Sequence, residues 1–187
     1  MPQTEFIVVR HGETAWNVEG RIQGHLDTPL NDEGLAQALM VGERLAREPF
    51  DAFYCSDLLR TRQTAQPLMD RTRRVPQLQS ELRERHLGIF QGLTGAQCQQ
   101  QFPEDYRRFH ERDPDHVIPE GESVRQLYER ITTFFADLPA RQPHCTWQTW
   151  PHKLWGSVCL LFLPITRWCW VRHVSKANSM TLRAPSD

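Results

Sequence analysis

A short apolar run that ends in a charged, glycine-containing stretch constrains this chain more than any other feature. Near the N-terminus, residues 6–14 read F-I-V-V-R-H-G-E-T. Consecutive apolar residues rich in β-branched side chains predict a buried strand. In α/β folds, a buried strand brings the residues that follow it to the carboxyl edge of the sheet, where ligands bind. The sequence therefore predicts a ligand site at Arg10, His11 and Gly12.

The residue types at the end of this strand suit the binding and transfer of phosphate. Arg10 is a permanent cation whose guanidinium can donate two hydrogen bonds to one phosphate group. His11 is neutral enough near pH 7 to attack phosphorus. Gly12 allows the backbone to approach a ligand closely. The alternative is a surface arginine beside an ordinary structural histidine, and the motifs that follow argue against it.

A series of motifs extends this pattern along the chain. In order, they are R-H-G-E-T-x-W-N from Arg10, R-I-Q-G from Arg21, D-T-P-L-N from Asp27, S-D-L-L-R-T-R-Q-T-A from Ser56, L-R-E from Leu82 and P-E-G-E-S from Pro119. Together they resemble the histidine phosphatase superfamily, also called phosphoglycerate mutase-like, in order and approximate spacing over residues 5–138. The remaining quarter of the chain does not match.

The resemblance implies a phosphomonoester hydrolase that acts on a small phosphorylated metabolite through a phosphohistidine. It implies that His11 is the nucleophile and Glu84 the general acid, with Glu81 and His86 as alternatives. A general acid must be protonated near neutral pH, so burial or charge must raise the pKa of Glu84. The implied phosphate-binding residues are Arg10, Asn17, Gln23, Gly24, Arg60 and Arg62. A solvated helix position explains Arg62 equally well.

Strands that alternate with helices predict an α/β fold, a three-layer α/β/α sandwich with a mainly parallel sheet. The elements predicted after the first strand are a helix from Asn31 or Asp32 to about Arg47, a strand over residues 50–55, a helix from about Leu58 to Asp70 and a helix from about Glu122 to Leu138. One face of the first helix is predicted to contain Leu35, Leu39, Gly42, Leu45 and Ala46. Pro67 is expected to bend or shorten the second helix. Glu122 and Ser123 tie the P-E-G-E-S turn to the site, or Ser123 caps the last helix.

The C-terminal quarter has a different composition from the rest of the chain. Five of the six tryptophans lie at or beyond Trp147, and no acidic residue occurs between Asp137 and Asp187. The sequence therefore predicts a histidine phosphatase domain over residues 1–140 and an anomalous segment over residues 141–187. A frameshifted or alternatively spliced end, a divergent end of the same domain and a foreign segment are three explanations, and the change in composition favours the first.

The resemblance implies a central aliphatic strand after the last helix, followed by a second histidine. Residues 146–152 stand near the expected distance, but they read T-W-Q-T-W-P-H, which is not aliphatic, and Pro151 disfavours a central strand. We therefore expect the central strand to be lost and the chain to be poorly stable and weakly active. By spacing, His152 is the candidate for the second histidine, and His173 is the alternative.

Two other functions stay open at this point. A phosphoglycerate mutase is the first, although the chain is short for that branch and shows no lid-like insertion. R-H-G-E-T-x-W-N with R-I-Q-G is more similar to bacterial small-molecule phosphatases. A catalytically weakened phosphate-binding remnant is the second alternative. It is suggested by the missing second histidine, because loss of one preorganised hydrogen-bond donor costs about 10²–10³ in rate.

Composition limits the partners and cofactors. The net charge of −1 does not suggest binding to nucleic acid or an anionic membrane surface, and no apolar run is long enough to span a membrane. Without a signal-peptide pattern, and with five cysteines that lack C-x-x-C spacing, we expect a cytoplasmic protein with reduced thiols. No cofactor or metal is expected, because the family chemistry uses no metal. A zinc site is disfavoured by the spacing of His144, Cys145, His152 and Cys159. The oligomeric state is open, with a homodimer as one alternative.

Overall fold

Helices and strands alternate along the chain in the computed structural model, which describes residues 5–141 and 158–163. The elements are β1 (Glu5–Arg10), α1 (Ala15–Val18), α2 (Asp32–Leu45), β2 (Ala52–Ser56), α3 (Leu59–Thr72), β3 (Gln77–Gln79), α4 (Gly95–Gln101), α5 (Pro103–His110), α6 (Val124–Arg141) and β4 (Val158–Leu163). Two 3₁₀ turns, Ser80–Leu82 and Gly88–Phe90, lie between β3 and α4. None of the helices in this part of the chain has the length and apolar character that crossing a membrane requires.

The four described strands form one parallel sheet in the order β1-β4-β2-β3. Strand β4 pairs with β1 along the whole length of both strands, and its other edge pairs with β2. An aliphatic strand therefore occupies the centre of the described sheet, and the expectation that this strand is lost was wrong. The strand is the run V-C-L-L-F-L, which follows T-W-Q-T-W-P-H along the chain.

Helices cover both faces of the sheet. Because neighbouring side chains of a strand point to opposite faces, β2 contributes to two separate apolar clusters. Phe53 and Cys55 pack with residues of α2 and α3 on one face. Ala52 and Tyr54 pack with Phe134 of α6 on the other. The arrangement is a three-layer α/β/α sandwich, so the predicted fold class is confirmed.

A third apolar cluster lies beneath α4 and α5, two helices that the sequence pattern did not predict. Its buried members are Leu87, Phe90, Cys98 and Ile118. Helix α4 begins with a capping box, in which Thr94 Oγ1 accepts from the backbone of Gln97 and the Gln97 side chain accepts from the backbone of Thr94. The cluster joins the segment after β3 to the loop that leads into α6.

The predicted helices are present, with differences at their faces and ends. Asn31 is the N-cap of α2, because its Oδ1 accepts a hydrogen bond of 2.8 Å from the Gly34 amide. The predicted face was correct for Gly42 and Leu45, which are buried, and wrong for Leu35 and Leu39, which are 44% and 51% exposed. The residues that α2 buries are Gly34, Ala38, Gly42 and Leu45. Helix α3 continues through Pro67 to Thr72, so the proline does not shorten it.

Candidate active site

Three segments meet at the carboxyl edge of the sheet. His11 follows β1, Arg60 lies in the first turn of α3 directly after β2, and Glu84 follows the 3₁₀ turn after β3. All three side chains are buried. The sheet topology thus brings together residues that are far apart in the sequence, at the edge where the sequence predicted a ligand site.

The loop after β1 is held tightly between α2 and α3. A Cβ atom at Gly12 would lie 2.4 Å from the carbonyl oxygen of Gly34, so only glycine fits there. The Gly12 amide donates a 3.0 Å hydrogen bond to Thr64 Oγ1, and this hydroxyl donates to the Arg60 carbonyl at 2.7 Å. Close backbone approach was predicted for a ligand, whereas the structure shows it between the loop and α2. These contacts fix the position of His11.

The surroundings of His11 define its tautomer and its charge. Its Nδ1 atom lies 2.6 Å from the carbonyl oxygen of Gly12. A carbonyl can only accept a hydrogen bond, so Nδ1 carries the proton and Nε2 keeps its lone pair. Burial, reinforced by the cations Arg60 and Arg10, lowers the His11 pKa from 6.5 to about 4, although the bond to Gly12 opposes this. The imidazole is therefore neutral at pH 7.

Arg60 is a fully buried cation at the base of the site. Its Nη2 atom donates to the carbonyl of Gly24 at 2.8 Å, and its Nη1 atom donates to the carbonyl of Leu26 at 2.9 Å. Burial lowers the Arg60 pKa from its ordinary value, and nearby Glu84 opposes this. Among the described residues, its buried Nε–H has no hydrogen-bond partner. An unpaired donor on a buried cation is suited to bind an anion.

Glu84 lies next to Arg60, with Oε2 at 3.6 Å from Nη2, and is 8% exposed. Its backbone carbonyl accepts a 2.7 Å hydrogen bond from His25 Nε2. The alternative acids are placed differently. Glu81 pairs with Arg141 at 3.2 Å, and the His86 ring packs edge-to-face against His25 with the ring centroids 4.6 Å apart. The geometry therefore favours Glu84 over both alternatives.

Two amide side chains are oriented by one buried hydroxyl group, that of Thr14. Asn17 Oδ1 accepts from both the backbone amide and the hydroxyl of Thr14 at 3.0 Å. Gln23 Oε1 lies 3.1 Å from the same hydroxyl oxygen and accepts a hydrogen bond from the hydroxyl of Thr28. Since the oxygen of each amide is occupied in this way, the NH₂ groups are left to face other partners. The predicted residues Asn17 and Gln23 thus form one hydrogen-bonded unit with Thr14.

Arg10 and Arg62 differ in their relation to His11, although both are exposed. Arg10 lowers the His11 pKa through its charge, as Arg60 does, whereas Arg62 is not among the groups that act on it. Arg62 lies on an exposed position of α3. This exposure agrees with the solvated-helix alternative, and a contact of Arg62 with the substrate stays a prediction.

The candidates for the second histidine cannot be placed relative to the site. His152 and His173 both lie outside the described residues. The carboxyl end of β4, at Leu163, pairs beside Arg10 and is followed in the sequence by Pro164 and Ile165. Within residues 5–141 and 158–163, no group of three His, Cys, Asp or Glu side chains is arranged to hold a metal ion.

Three residues that support the site were not singled out from the sequence: Thr64, His25 and Arg130. Thr64 stands inside one of the recognised motifs, so its position was itself a signal. His25 and Arg130 lie outside the motifs, and no local pattern distinguishes them from ordinary surface residues. Only the folded structure shows that both donate hydrogen bonds to the backbone of Glu84.

Comparisons with known proteins agree with this fold. The family pattern of the histidine phosphatase superfamily (branch 1) matches residues 6–159. The chain is 47% identical over 132 residues to phosphoglycerate mutase-like protein 4 of Arabidopsis thaliana, covering 69% of this chain and 57% of that protein. It is 43% identical over 131 residues to a metal-independent phosphoserine phosphatase of the same plant, covering 68% and 55%.

A solved structure shows the same fold. The alpha-ribazole phosphatase from Shigella flexneri superposes with a TM-score of 0.72 at 28% identity, covering 84% of this chain and 72% of that one. The chain therefore belongs to the histidine phosphatase superfamily. It spans a little over half the length of the two Arabidopsis relatives.

Proposed function

We propose that this chain is a phosphomonoester hydrolase that acts on small phosphorylated metabolites through a phosphohistidine at His11. The observation that carries the proposal is the neutral, buried imidazole of His11, whose Nε2 lone pair is available beside the Arg60 cation. Two of the relatives are named as phosphatases of phosphoserine and of alpha-ribazole phosphate, which supports a small substrate. Phosphoserine is therefore the first substrate to test.

In the first step, Nε2 of His11 attacks phosphorus as the bond from phosphorus to the ester oxygen breaks. The protonated carboxyl group of Glu84 gives its proton to the leaving oxygen, so the product is a neutral alcohol. Arg10 and Arg60 stabilise the charge on the phosphoryl oxygens. The NH₂ groups of Asn17 and Gln23, together with the backbone amide of Gly24, complete the proposed phosphate pocket.

In the second step, water attacks the phosphohistidine and the bond between Nε2 and phosphorus breaks. The carboxylate of Glu84 accepts a proton from that water, which restores the acid for the next cycle. Inorganic phosphate leaves, and His11 returns to its neutral state. The 3.6 Å separation of Glu84 and Arg60 places acid and cation at one site.

The covalent intermediate is the first test. We expect rapid quenching with ³²P-labelled phosphoserine to trap acid-labile phosphate on the wild-type chain and none on His11→Ala. His86→Ala serves as the control, because the His86 ring packs edge-to-face against His25 and has no covalent role in the proposal. Label that persists in His11→Ala would show that another group is the nucleophile.

The second test addresses Glu84. We expect Glu84→Gln to lower kcat/KM for phosphoserine or phenyl phosphate by about 10²–10⁴, because glutamine cannot protonate the leaving oxygen. For 2,4-dinitrophenyl phosphate the loss should be much smaller, since that leaving group needs no proton. Equal losses for both substrates would assign Glu84 a structural role.

The same assays separate the alternatives. Interconversion of 3-phosphoglycerate and 2-phosphoglycerate faster than hydrolysis would indicate a mutase, and phosphate binding without turnover would indicate a remnant. The role of His152 as second histidine, a homodimer and a cytoplasmic location stay predictions. So does the division into residues 1–140 and 141–187, although β4 lies within the second range and pairs with the first.

A further inference from the structure

Arg130 of α6 gathers the backbone that carries Glu84. Its Nη1 atom donates to the carbonyl of Glu81 at 2.6 Å and to that of Arg83 at 3.1 Å. Its Nη2 atom donates to the carbonyl of Glu84 at 3.3 Å. One guanidinium group therefore binds three carbonyl groups within four consecutive residues.

Glu122 holds Arg130 in this position. Its carboxylate accepts from Arg130 Nη2 at 2.5 Å, and the two side chains are 16% and 22% exposed. The same carboxylate accepts a 2.9 Å hydrogen bond from the backbone amide of His86, and the Glu122 amide donates to the His86 carbonyl at 2.9 Å. The P-E-G-E-S turn is thus joined to both sides of residue 84. Ser123 Oγ separately accepts from the Gln126 amide and caps α6.

This network meets the active site at a single atom. The carbonyl oxygen of Glu84 accepts from Arg130 on one side and from His25 Nε2 on the other. The side chain of Glu84 then extends to Arg60. The regular structure next to it is a 3₁₀ turn of only three residues, which constrains the segment weakly. Side-chain donors from α6 supply the constraint that the local backbone lacks.

We propose that Arg130, oriented by Glu122, is a positioning residue that sets the distance between the Glu84 carboxyl group and the leaving-group oxygen. This inference rests on the proposed function, because it assumes that Glu84 protonates that oxygen. Arg130 binds the backbone of the acid and lies on the helix layer behind it. Its loss should therefore affect proton donation more than phosphate binding or attack by His11.

The test compares leaving groups in kcat/KM, which reports the steps up to formation of the phosphohistidine. Arg130→Met keeps the apolar stem and removes every donor. We expect it to lower kcat/KM about 10–100-fold for phenyl phosphate, as a displacement of the acid by about 1 Å would, and only slightly for 2,4-dinitrophenyl phosphate. Arg130→Lys should be intermediate, since an ammonium cannot fork across three carbonyls.

The matched control is Arg125→Met on the same helix, because within the part of the chain that the structure describes the Arg125 side chain pairs with the exposed Asp115 alone. Arg125→Met should keep the wild-type ratio of kcat/KM between phenyl phosphate and 2,4-dinitrophenyl phosphate. If Arg130→Met leaves kcat/KM unchanged for both substrates, or lowers it by the same factor for both, the positioning role is overturned. If Arg130→Met does not fold, Glu122→Gln decides, and a wild-type ratio in that variant overturns the proposal. Failure of the proposed function is recognised separately, as an unchanged ratio in Glu84→Gln itself.

Discussion

At the residue scale, the protonation state of His11 follows from its surroundings. A histidine in water has a pKa of about 6.5 and is partly protonated near neutral pH. The buried position at the end of β1, with two arginines nearby, favours the neutral ring, and the bond to Gly12 selects the tautomer. Reactivity and stability are therefore linked at this residue, because the same depressed pKa affects both.

This link predicts a pH dependence of stability. In the unfolded chain His11 binds a proton below pH 6.5, whereas in the folded chain it does so only below about pH 4. Unfolding is therefore favoured progressively as the pH falls through this window, and the contribution lost is on the order of 3 kcal/mol. Urea denaturation at intervals between pH 4 and pH 7 measures it.

The control for this experiment is His11→Asn, which cannot titrate. The pKa of His25 is also lowered, chiefly by burial, so a part of the dependence with the same sign should remain in the variant. The difference between the two curves isolates His11. Parallel curves for the wild type and the variant would contradict the depressed pKa.

The residues at the centre of the site could be predicted from the sequence, but the residues that hold them in place could not. His11 and Arg60 stand at motif positions that follow buried strands, so their meeting at the sheet edge followed from the fold class. The donors to the Glu84 carbonyl, His25 and Arg130, are 59 and 46 residues away from it in the chain. No local pattern encodes such contacts, because the tertiary structure alone brings Arg130 of α6 and His25 of the loop before α2 to the same carbonyl group.

At the element scale, local signals predicted helix starts better than helix faces. The N-cap at Asn31 is a property of a few neighbouring residues and was predicted correctly. The buried face of α2 instead follows from its packing on α3, where a Cβ at Gly42 would lie 2.7 Å from Pro67 Cβ. Small residues face the neighbouring helix at this contact, and the larger Leu35 and Leu39 are left exposed. The sequence pattern placed Gly42 and Leu45 on the buried face correctly, but it could not separate them from Leu35 and Leu39.

Strand β4 gives a prediction at the same scale. Leu161 pairs with Val8 of β1 and with Tyr54 of β2, so its backbone lies between two strands. Leu161→Pro should destabilise the fold by about 1–3 kcal/mol or more, because proline removes a ladder hydrogen bond from a central strand and leaves the partner carbonyl unsatisfied. Thermal denaturation followed by circular dichroism is the measurement.

Leu161→Val is the matched comparison, since it keeps the backbone donor and a β-branched side chain suits a strand. We expect it to cost less than about 1.5 kcal/mol. Coincident melting curves for the proline and valine variants would argue against a central position for this strand.

At the scale of the whole molecule, the presence of β4 removes the main reason to expect low stability. That expectation assumed that the sheet lacked its centre, since spacing from the P-E-G-E-S turn pointed to residues 146–152. The distance between a helix and the next strand is set by loop length, which sequence motifs do not fix. The apolar run at residues 158–163 was visible, but only its pairing with two strands identified it as the central one.

The position of β4 also has a consequence for the order in which the protein is made. A growing chain emerges from its N-terminus, so β1 and β2 exist long before the strand that lies between them. Until Val158–Leu163 is synthesised, β1, which His11 follows, and β2, which precedes Arg60, lack the strand that lies between them and holds them in register. The proposed active site is therefore completed late in biosynthesis, and a nascent chain that stops short of β4 would contain His11 and Arg60 without the strand that brings them together.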